Sequence, residues 1–256
     1  PADLTIAMVI SVFLSNIIYR PELHCWFQRE CNMFLTVKNK FLDISHVKAV
    51  IFDMDGTLVE SEHIWAEAKK DVARSVGINI TDTGLSQYIG RGINDFIDEV
   101  LQPTNIQNRA DLAQKIHEKV LIDYGSKIRV IEGALDILTA FSLAGVRLAI
   151  CSSGSLPAIE SSLELLNATK LVEVVVSGDT LATGKPHPLP YLRTLEKLHL
   201  DAKNTIVFED TIAGFQSATA AGISTVIVGA QADSPSFSSA ALIDPLLSNF
   251  SLSTQV

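Results

Sequence analysis

Residues 50–58 read VIFDMDGTL. A run of strand-forming apolar residues ends abruptly in two carboxylates, Asp53 and Asp55, followed by Gly56 and Thr57. Asp and Gly favour turns after strands, so a turn explains one aspartate and the glycine. It leaves the pair of acids unexplained, and the rest of the chain has to supply the reason.

Outward from that strand, short runs rich in Val and Ile recur at residues 47–52, 146–151, 172–176, 205–208 and 225–228. They alternate little between apolar and polar, which is the pattern of strands buried on both faces of a parallel sheet. Helical spacing spans residues 134–144, 157–166, 188–198 and 213–221, with Gly145 and Gly222 where helix C-terminal glycines belong. This rhythm predicts an α/β fold with a doubly wound, Rossmann-like parallel sheet.

The first two strands are too far apart for a single crossover. Ile64, Trp65, Ala68, Val72 and Val76 follow helical spacing up to Gly77. Ile93, Phe96, Ile97 and Val100 repeat it, as do Leu112, Ile116, Val120 and Tyr124. Residues 61–127 therefore read as a helical cap domain inserted after the first strand, between core segments 46–60 and 128–256. After Gly229 the run AQADSPSFSSA is loop-like and the tail is weakly patterned.

At 256 residues the chain can bury one substantial core and a second small domain. A net charge of -9 argues against nucleic acid or an anionic membrane as the main partner. A small metabolite drawn in by a local site, acted on by a monomer, is the expectation. Cys25, Cys31 and Cys151 form no CxxC pair and no disulfide framework, which favours a reducing, cytoplasmic setting. Residues 4–18 (LTIAMVISVFLSNII) are strongly apolar. They fall short of the ~20 residues of a spanning helix and lack the marks of a secretory signal. Residues 1–45, which begin at Pro1 without a Met, read as an appended segment. The alternative is a signal anchor, with Arg20, Arg29, Lys38 and Lys40 holding the following domain on the cytoplasmic side. On the first reading, a chain starting near Ile44 should fold and act as the whole does.

Ligand sites in open α/β sheets lie beyond the carboxyl ends of the strands. There the sequence places Asp53 and Asp55, then Ser152 and Ser153, then Lys185 in SGDTLATGKPHP, then Glu209 and Asp210. One polar residue after a strand means little, whereas four strands in succession delivering such groups is a pattern. Asp53, Glu209 and Asp210 converging within ~5 Å would repel by roughly 3 kcal/mol per pair at an effective dielectric near 20. A cation must offset this, and all-oxygen ligands on a rigid edge favour a hard divalent ion, Mg²⁺ first. With Lys185 and the Ser152 hydroxyl added, the site suits a dianion, and a phosphate monoester fits best.

DMDGT at residues 53–57, Ser152 closing LAICS, GKPHP around Lys185 and FEDT at residues 208–211 resemble the four motifs of the haloacid dehalogenase-like hydrolase superfamily. The helical insert resembles the cap of its phosphoglucomutase-like branch. The stretch SEHIWAEAKKDVARSVGINI is similar, more narrowly, to phosphatases of 2-deoxyglucose 6-phosphate and hexitol phosphates. The resemblance implies Asp53 as nucleophile and metal ligand, and Asp55 as general acid and then base, with its carbonyl on the metal. It implies Ser152 and Lys185 as holders of the phosphoryl group, and Asp210 as a metal ligand with Glu209 beside it, direct or through water. Thr57, Trp65, Arg91 and Ser153 are the further substrate contacts it suggests.

Each assignment has a plainer rival. Ser152 and Ser153 could cap the following helix, Glu209 could be a surface acid, Arg91 an exposed arginine in Gly90-Arg91-Gly92, and Trp65 cap core. His187, between prolines, reads as structural. As a whole the chain reads as a Mg²⁺-dependent phosphatase of small phosphosugars or sugar-alcohol phosphates. The rivals are a hexose phosphomutase on the same scaffold, a dehalogenase, and a receiver-type phospho-acceptor without catalysis. A dehalogenase needs no metal, and a receiver has no use for a helical cap.

Overall fold

The structure, a computed structural model, describes residues 32–103 and 105–255. The apolar stretch at residues 4–18, together with Arg20, Cys25, Arg29 and Cys31, lies outside the described residues. The strands are β1 (Asn32–Val37), β2 (Lys40–Asp43), β3 (Ala49–Phe52), β4 (Val59–Glu60), β5 (Arg129–Val130), β6 (Arg147–Ser152), β7 (Val172–Ser177), β8 (Thr205–Glu209), β9 (Ser224–Ile227), β10 (Leu242–Ile243) and β11 (Phe250–Gln255). The helices are α1 (Glu62–Ser75), α2 (Asp82–Ser86), α3 (Ile93–Phe96), α4 (Ile106–Lys127), α5 (Ala134–Leu143), α6 (Leu156–Leu165), α7 (Leu189–Leu198) and α8 (Ile212–Ala220). A π-helical turn, Ile97–Leu101, extends α3. Among the described residues no helix is long and apolar enough to cross a membrane.

Six strands form a parallel sheet in the order β10-β9-β8-β3-β6-β7. The strand that opens the sequence argument, β3, lies in the interior of the sheet, between β8 and β6, with all four of its residues buried. Alternate side chains serve the two faces. Val50 and Phe52 pack with Ile137 and Phe141 of α5, while Ala49 and Ile51 pack with Tyr191 and Leu195 of α7. Phe52 stacks on Phe208 of β8 with ring centroids 4.8 Å apart, and Phe141 meets Phe52 edge-on at 6.2 Å. Because the chain runs from β3 to β6 and β7 on one side and then crosses back to β8 and β9 on the other, the carboxyl end of β3 opens into the crevice where such sheets bind ligands.

The helical cap follows β3, as the spacing predicts. It has a core of its own, in which Ile64, Val72, Phe96, Ile116 and Tyr124 are buried and α1 packs along α4. Its two connections to the sheet are pinned together by a short antiparallel ladder, Val59 opposite Val130 and Glu60 opposite Arg129.

The expected break after residue 45 falls inside packed structure. Strand β1 pairs antiparallel with β11, from Asn32 opposite Gln255 to Val37 opposite Phe250, and with β2 on its other side. Leu35, Val37 and Ile44 are buried in the same core as Val50 and Phe52. Residues 32–45 are therefore not an appendage, and the weakly patterned tail contains β10 and β11. The sequence hides this because β1 and β11 are over 200 residues apart. A strand's partner and register are set by tertiary pairing, which local periodicity does not reveal.

Removing Leu35 and Val37 by starting the chain at residue 44 should thus cost the fold heavily, against the expectation from sequence. The single change Leu35→Ala should lower stability by about 2–5 kcal/mol, the range for emptying a buried leucine site. Urea unfolding monitored by fluorescence checks this, and unchanged midpoints for both variants would show that the β1–β11 pairing is peripheral.

Candidate active site

The first acid is still held by the sheet. The Asp53 amide donates to the Phe208 carbonyl at 2.9 Å, so Asp53 continues the β3–β8 ladder by one residue. The chain then turns tightly, with the Gly56 amide donating to the Val59 carbonyl at 2.7 Å. Gly56 has φ +90°, and a Cβ there would lie 2.0 Å from Asp210 Oδ2. Both the backbone conformation and the close approach of Asp210 require glycine. On β8, Glu209 is the last strand residue, and Asp210 follows it above the same edge. A Cβ on Gly214 of α8 would sit 1.8 Å from Glu209 Oε1, so this glycine lets the helix lie against the buried carboxylate.

Asp53, Glu209 and Asp210 each offer a carboxylate oxygen within 4.8 Å of the others, and all three are buried. Lys185 enters from the loop between β7 and α7 and is 2% exposed. Its Nζ donates to Asp53 Oδ1 at 2.5 Å, to Glu209 Oε1 at 2.5 Å and to the Cys151 carbonyl at 3.0 Å. All three ammonium protons are thereby used. Three carboxylates against one lysine leave the enclosure two charges negative when all are ionised. Burial, and then the neighbouring carboxylates, push Asp53 and Asp210 well above the ordinary carboxylate range. Burial alone would drive the Lys185 ammonium down, but Asp53 and Glu209 hold it above its usual range.

A divalent cation fits this set on charge and on donor chemistry, since every donor is an oxygen on a rigid edge. The three carboxylates are not equivalent toward it. Glu209 accepts from Lys185 at 2.5 Å and Tyr191 at 2.6 Å on one oxygen. Its other oxygen accepts from the Asp210 amide at 3.1 Å, the Thr211 amide at 3.3 Å and the Thr211 hydroxyl at 3.2 Å. Glu209 therefore anchors Lys185 and the Asp210 backbone, while Asp53 and Asp210 keep more free lone pairs.

Asp55 lies at the seam between sheet and cap. Its Oδ1 accepts from Ser61, from Trp65 Nε1 at 3.2 Å and from the Tyr124 hydroxyl at 3.0 Å, and its Oδ2 from Ser152 at 3.1 Å. Trp65 and Tyr124 belong to α1 and α4 of the cap, and Ser61 immediately precedes α1. Ser153 adds a second tie, donating to the Gly90 carbonyl of the cap at 2.8 Å. The cleft between the two parts encloses about 30 Å³. That is room for a few waters at most, so a larger ligand needs the cap to stand farther from the sheet.

Of the residues singled out in the sequence, Asp53, Asp55, Trp65, Arg91 and Ser153 line the cleft. Ser152 is buried behind Asp55, outside the cleft lining, and is positioned by the Gly154 amide that donates to its hydroxyl at 2.9 Å. Thr57 is fully buried and donates weakly to Asp210 Oδ1 at 3.4 Å, away from the cleft lining. Arg91 reaches the rim with its charge matched and two of its five donors engaged, to Asp95 at 2.8 Å and Glu99 at 2.7 Å. His187 is structural, its Nδ1 accepting from the Leu189 amide at 3.1 Å. Ser61, Tyr124 and Tyr191 escaped the sequence reading. The two tyrosines occupy apolar positions of helical repeats, where nothing local distinguishes a core ring from a hydroxyl aimed at a carboxylate.

A sequence profile of the haloacid dehalogenase-like hydrolases matches residues 50–228. The chain is 29% identical over 176 residues to the validoxylamine A 7'-phosphate phosphatase of Streptomyces hygroscopicus, spanning 69% of this chain and 83% of that one. It is 26% identical over 187 residues to hexitol phosphatase B of Escherichia coli, spanning 72% and 84%. Its fold matches the crystal structure of a β-phosphoglucomutase from Clostridium difficile with a TM-score of 0.71 at 20% identity, over 79% of this chain and 92% of that chain. With the profile spanning all four motifs and most of the chain, this protein belongs to the haloacid dehalogenase-like hydrolase family.

Proposed function

We propose that this enzyme is a Mg²⁺-dependent phosphatase of small phosphosugars or sugar-alcohol phosphates, working through an aspartyl phosphate on Asp53. The carrying observation is the enclosure itself, where Asp53 and Asp210 share a buried edge with a single, fully engaged lysine. The names of the phosphatases it resembles support the substrate class. On this reading it acts as a cytoplasmic monomer.

In the first step an oxygen of Asp53 bonds to phosphorus as the ester P–O bond breaks, and Asp55 gives its proton to the departing sugar oxygen. In the second, Asp55 takes a proton from water as the water oxygen bonds to phosphorus. The bond to Asp53 then breaks, and inorganic phosphate leaves. Lys185 and Ser152 stabilise charge on the phosphoryl oxygens throughout. Asp53, Asp210 and the Asp55 carbonyl would hold Mg²⁺, with Glu209 beside them, and the bound ion supplies charge neutralisation for nucleophile and phosphoryl group. Asp55 must first leave the donors that hold it, so opening of the cap and arming of the acid are one event.

A hexose phosphomutase would instead shield its aspartyl phosphate from water until the sugar returned. Here the cap gives Asp55 an indole N–H and two hydroxyls. The indole can only donate and has no lone pair with which to gate a proton. Glucose 1-phosphate with a bisphosphate primer should therefore yield free phosphate and no accumulating glucose 6-phosphate. Faster isomerisation than phosphate release would establish the mutase instead.

Asp53→Asn should abolish turnover in a folded protein. Rapid-quench labelling of the wild type should place phosphate on Asp53, and label on another residue would overturn the mechanism. Asp210→Asn carries a stability signature of its own. Its carboxyl is raised above the ordinary 3.8, so the folded state binds protons more tightly than the unfolded one. Stability from this group is present at low pH and is lost as pH rises above about 4. The metal-free variant should thus melt higher than metal-free wild type near pH 8, while losing hydrolysis and the Mg²⁺-induced rise in Tm. A lower Tm, or a retained Mg²⁺ response, would contradict the metal assignment.

A further inference from the structure

Resting on the phosphatase reading above, we propose that Lys69 and Glu62 select the substrate by recognising an uncharged polyol leaving group. Lys69 donates to one hydroxyl oxygen and Glu62 accepts from a neighbouring hydroxyl. Both residues lie on α1. Glu62, Trp65 and Lys69 are spaced i, i+3 and i+7, which places them on one face of the helix. All three line the cleft opposite Asp53 and Asp55.

Lys69 is 6% exposed, an unusual place for an ammonium. Its Nζ has one long contact, 3.5 Å to the Tyr88 carbonyl, and lies 6.0 Å from the Phe96 ring centroid. Among the described residues no carboxylate comes within 4.0 Å of it. An ammonium carries three donors, so two remain for a ligand in the cleft. Burial pushes Lys69 below its ordinary range, against the pull of Glu62 and Asp55. Burial likewise pushes Glu62 up to about 7 despite Lys69 nearby. A structural ion pair would close to contact, and a purely structural site would be filled more cheaply by methionine or leucine. These two groups instead stand about two helical turns apart along the cap wall of the cleft, each short of hydrogen-bond partners.

The charge balance identifies what they fit. Lys69 is offset by Glu62, and Arg91 is committed to Asp95 and Glu99 while it packs 5.3 Å over the Tyr88 ring. The cap face of the cleft therefore has no uncompensated positive charge for a second phosphate or a carboxylate, and Glu62 would repel either. A donor and an acceptor on one helix face suit hydroxyls.

Steady-state kcat/KM for sorbitol 6-phosphate, 2-phosphoglycolate, fructose 1,6-bisphosphate and p-nitrophenyl phosphate tests this in wild type, Lys69→Met and Glu62→Gln. Wild type should favour sorbitol 6-phosphate over the carboxylate and bisphosphate esters. Each substitution should lower the ratio of kcat/KM for sorbitol 6-phosphate to that for p-nitrophenyl phosphate. The fall should be roughly 10–150-fold, the range for one hydrogen bond to a charged group. A ratio unchanged in both variants, or a wild-type preference for either second-anion ester, overturns the assignment. Should Lys69→Met fail to fold, the Glu62→Gln ratio decides alone. A wild type that hydrolyses none of the four esters, p-nitrophenyl phosphate included, overturns the phosphatase reading and this assignment with it.

Discussion

The structure is organised around a concentration of like charge that a folded chain would ordinarily avoid. Asp53, Glu209 and Asp210 bring carboxylate oxygens within 4.8 Å of one another in a buried space. At such separations each ionised pair repels by roughly 3 kcal/mol even at an effective dielectric of 20. Only a rigid scaffold holds such an arrangement, and the parallel sheet supplies one. Asp53 and Glu209 sit at the ends of adjacent strands, β3 and β8, whose other residues are buried in the two main apolar layers. Gly56 and Gly214 remove the side chains that would otherwise occupy the space of the carboxylates. Lys185 supplies one compensating charge, and the imbalance that remains matches a divalent cation.

The two acids of the DMDGT motif are held in different ways. Asp53 and Asp55 are two residues apart, yet they belong to different environments. Asp53 is locked into the sheet by its amide and by Lys185, whereas Asp55 is held mainly by groups at the edge of the cap and within it. In the proposed mechanism the fixed one is the nucleophile. The other is attached to the cap, so the position of the cap governs which partners it has.

Much of this was legible in the sequence, and the unread parts share a cause. Five of the six strands of the parallel sheet and the long helices declared themselves by period, because burial leaves unbroken Val and Ile runs in strands and one-sided stripes in helices. The strand-end acids and Lys185 were readable because topology sends every parallel strand end to one edge. Strands β1 and β11 were not readable, since NMFLTV and FSLSTQ acquire meaning only from each other across the whole chain. Tyr124 and Tyr191 were hidden in apolar stripes. Thr57, adjacent to the motif glycine, was expected to reach substrate but is buried against Asp210. Adjacency in sequence does not fix the side of the turn to which a side chain goes.

The most direct test of the central claim is a crystal structure of the enzyme with Mg²⁺ and beryllium trifluoride, a mimic of the phosphoryl group on a carboxylate. Beryllium should be bonded to an oxygen of Asp53, with Lys185 and Ser152 on its fluorines and Mg²⁺ at about 2.0–2.1 Å from oxygens of Asp53 and Asp210. Beryllium fluoride on another residue, or an enclosure that stays free of metal with Lys185 unmoved, would contradict it.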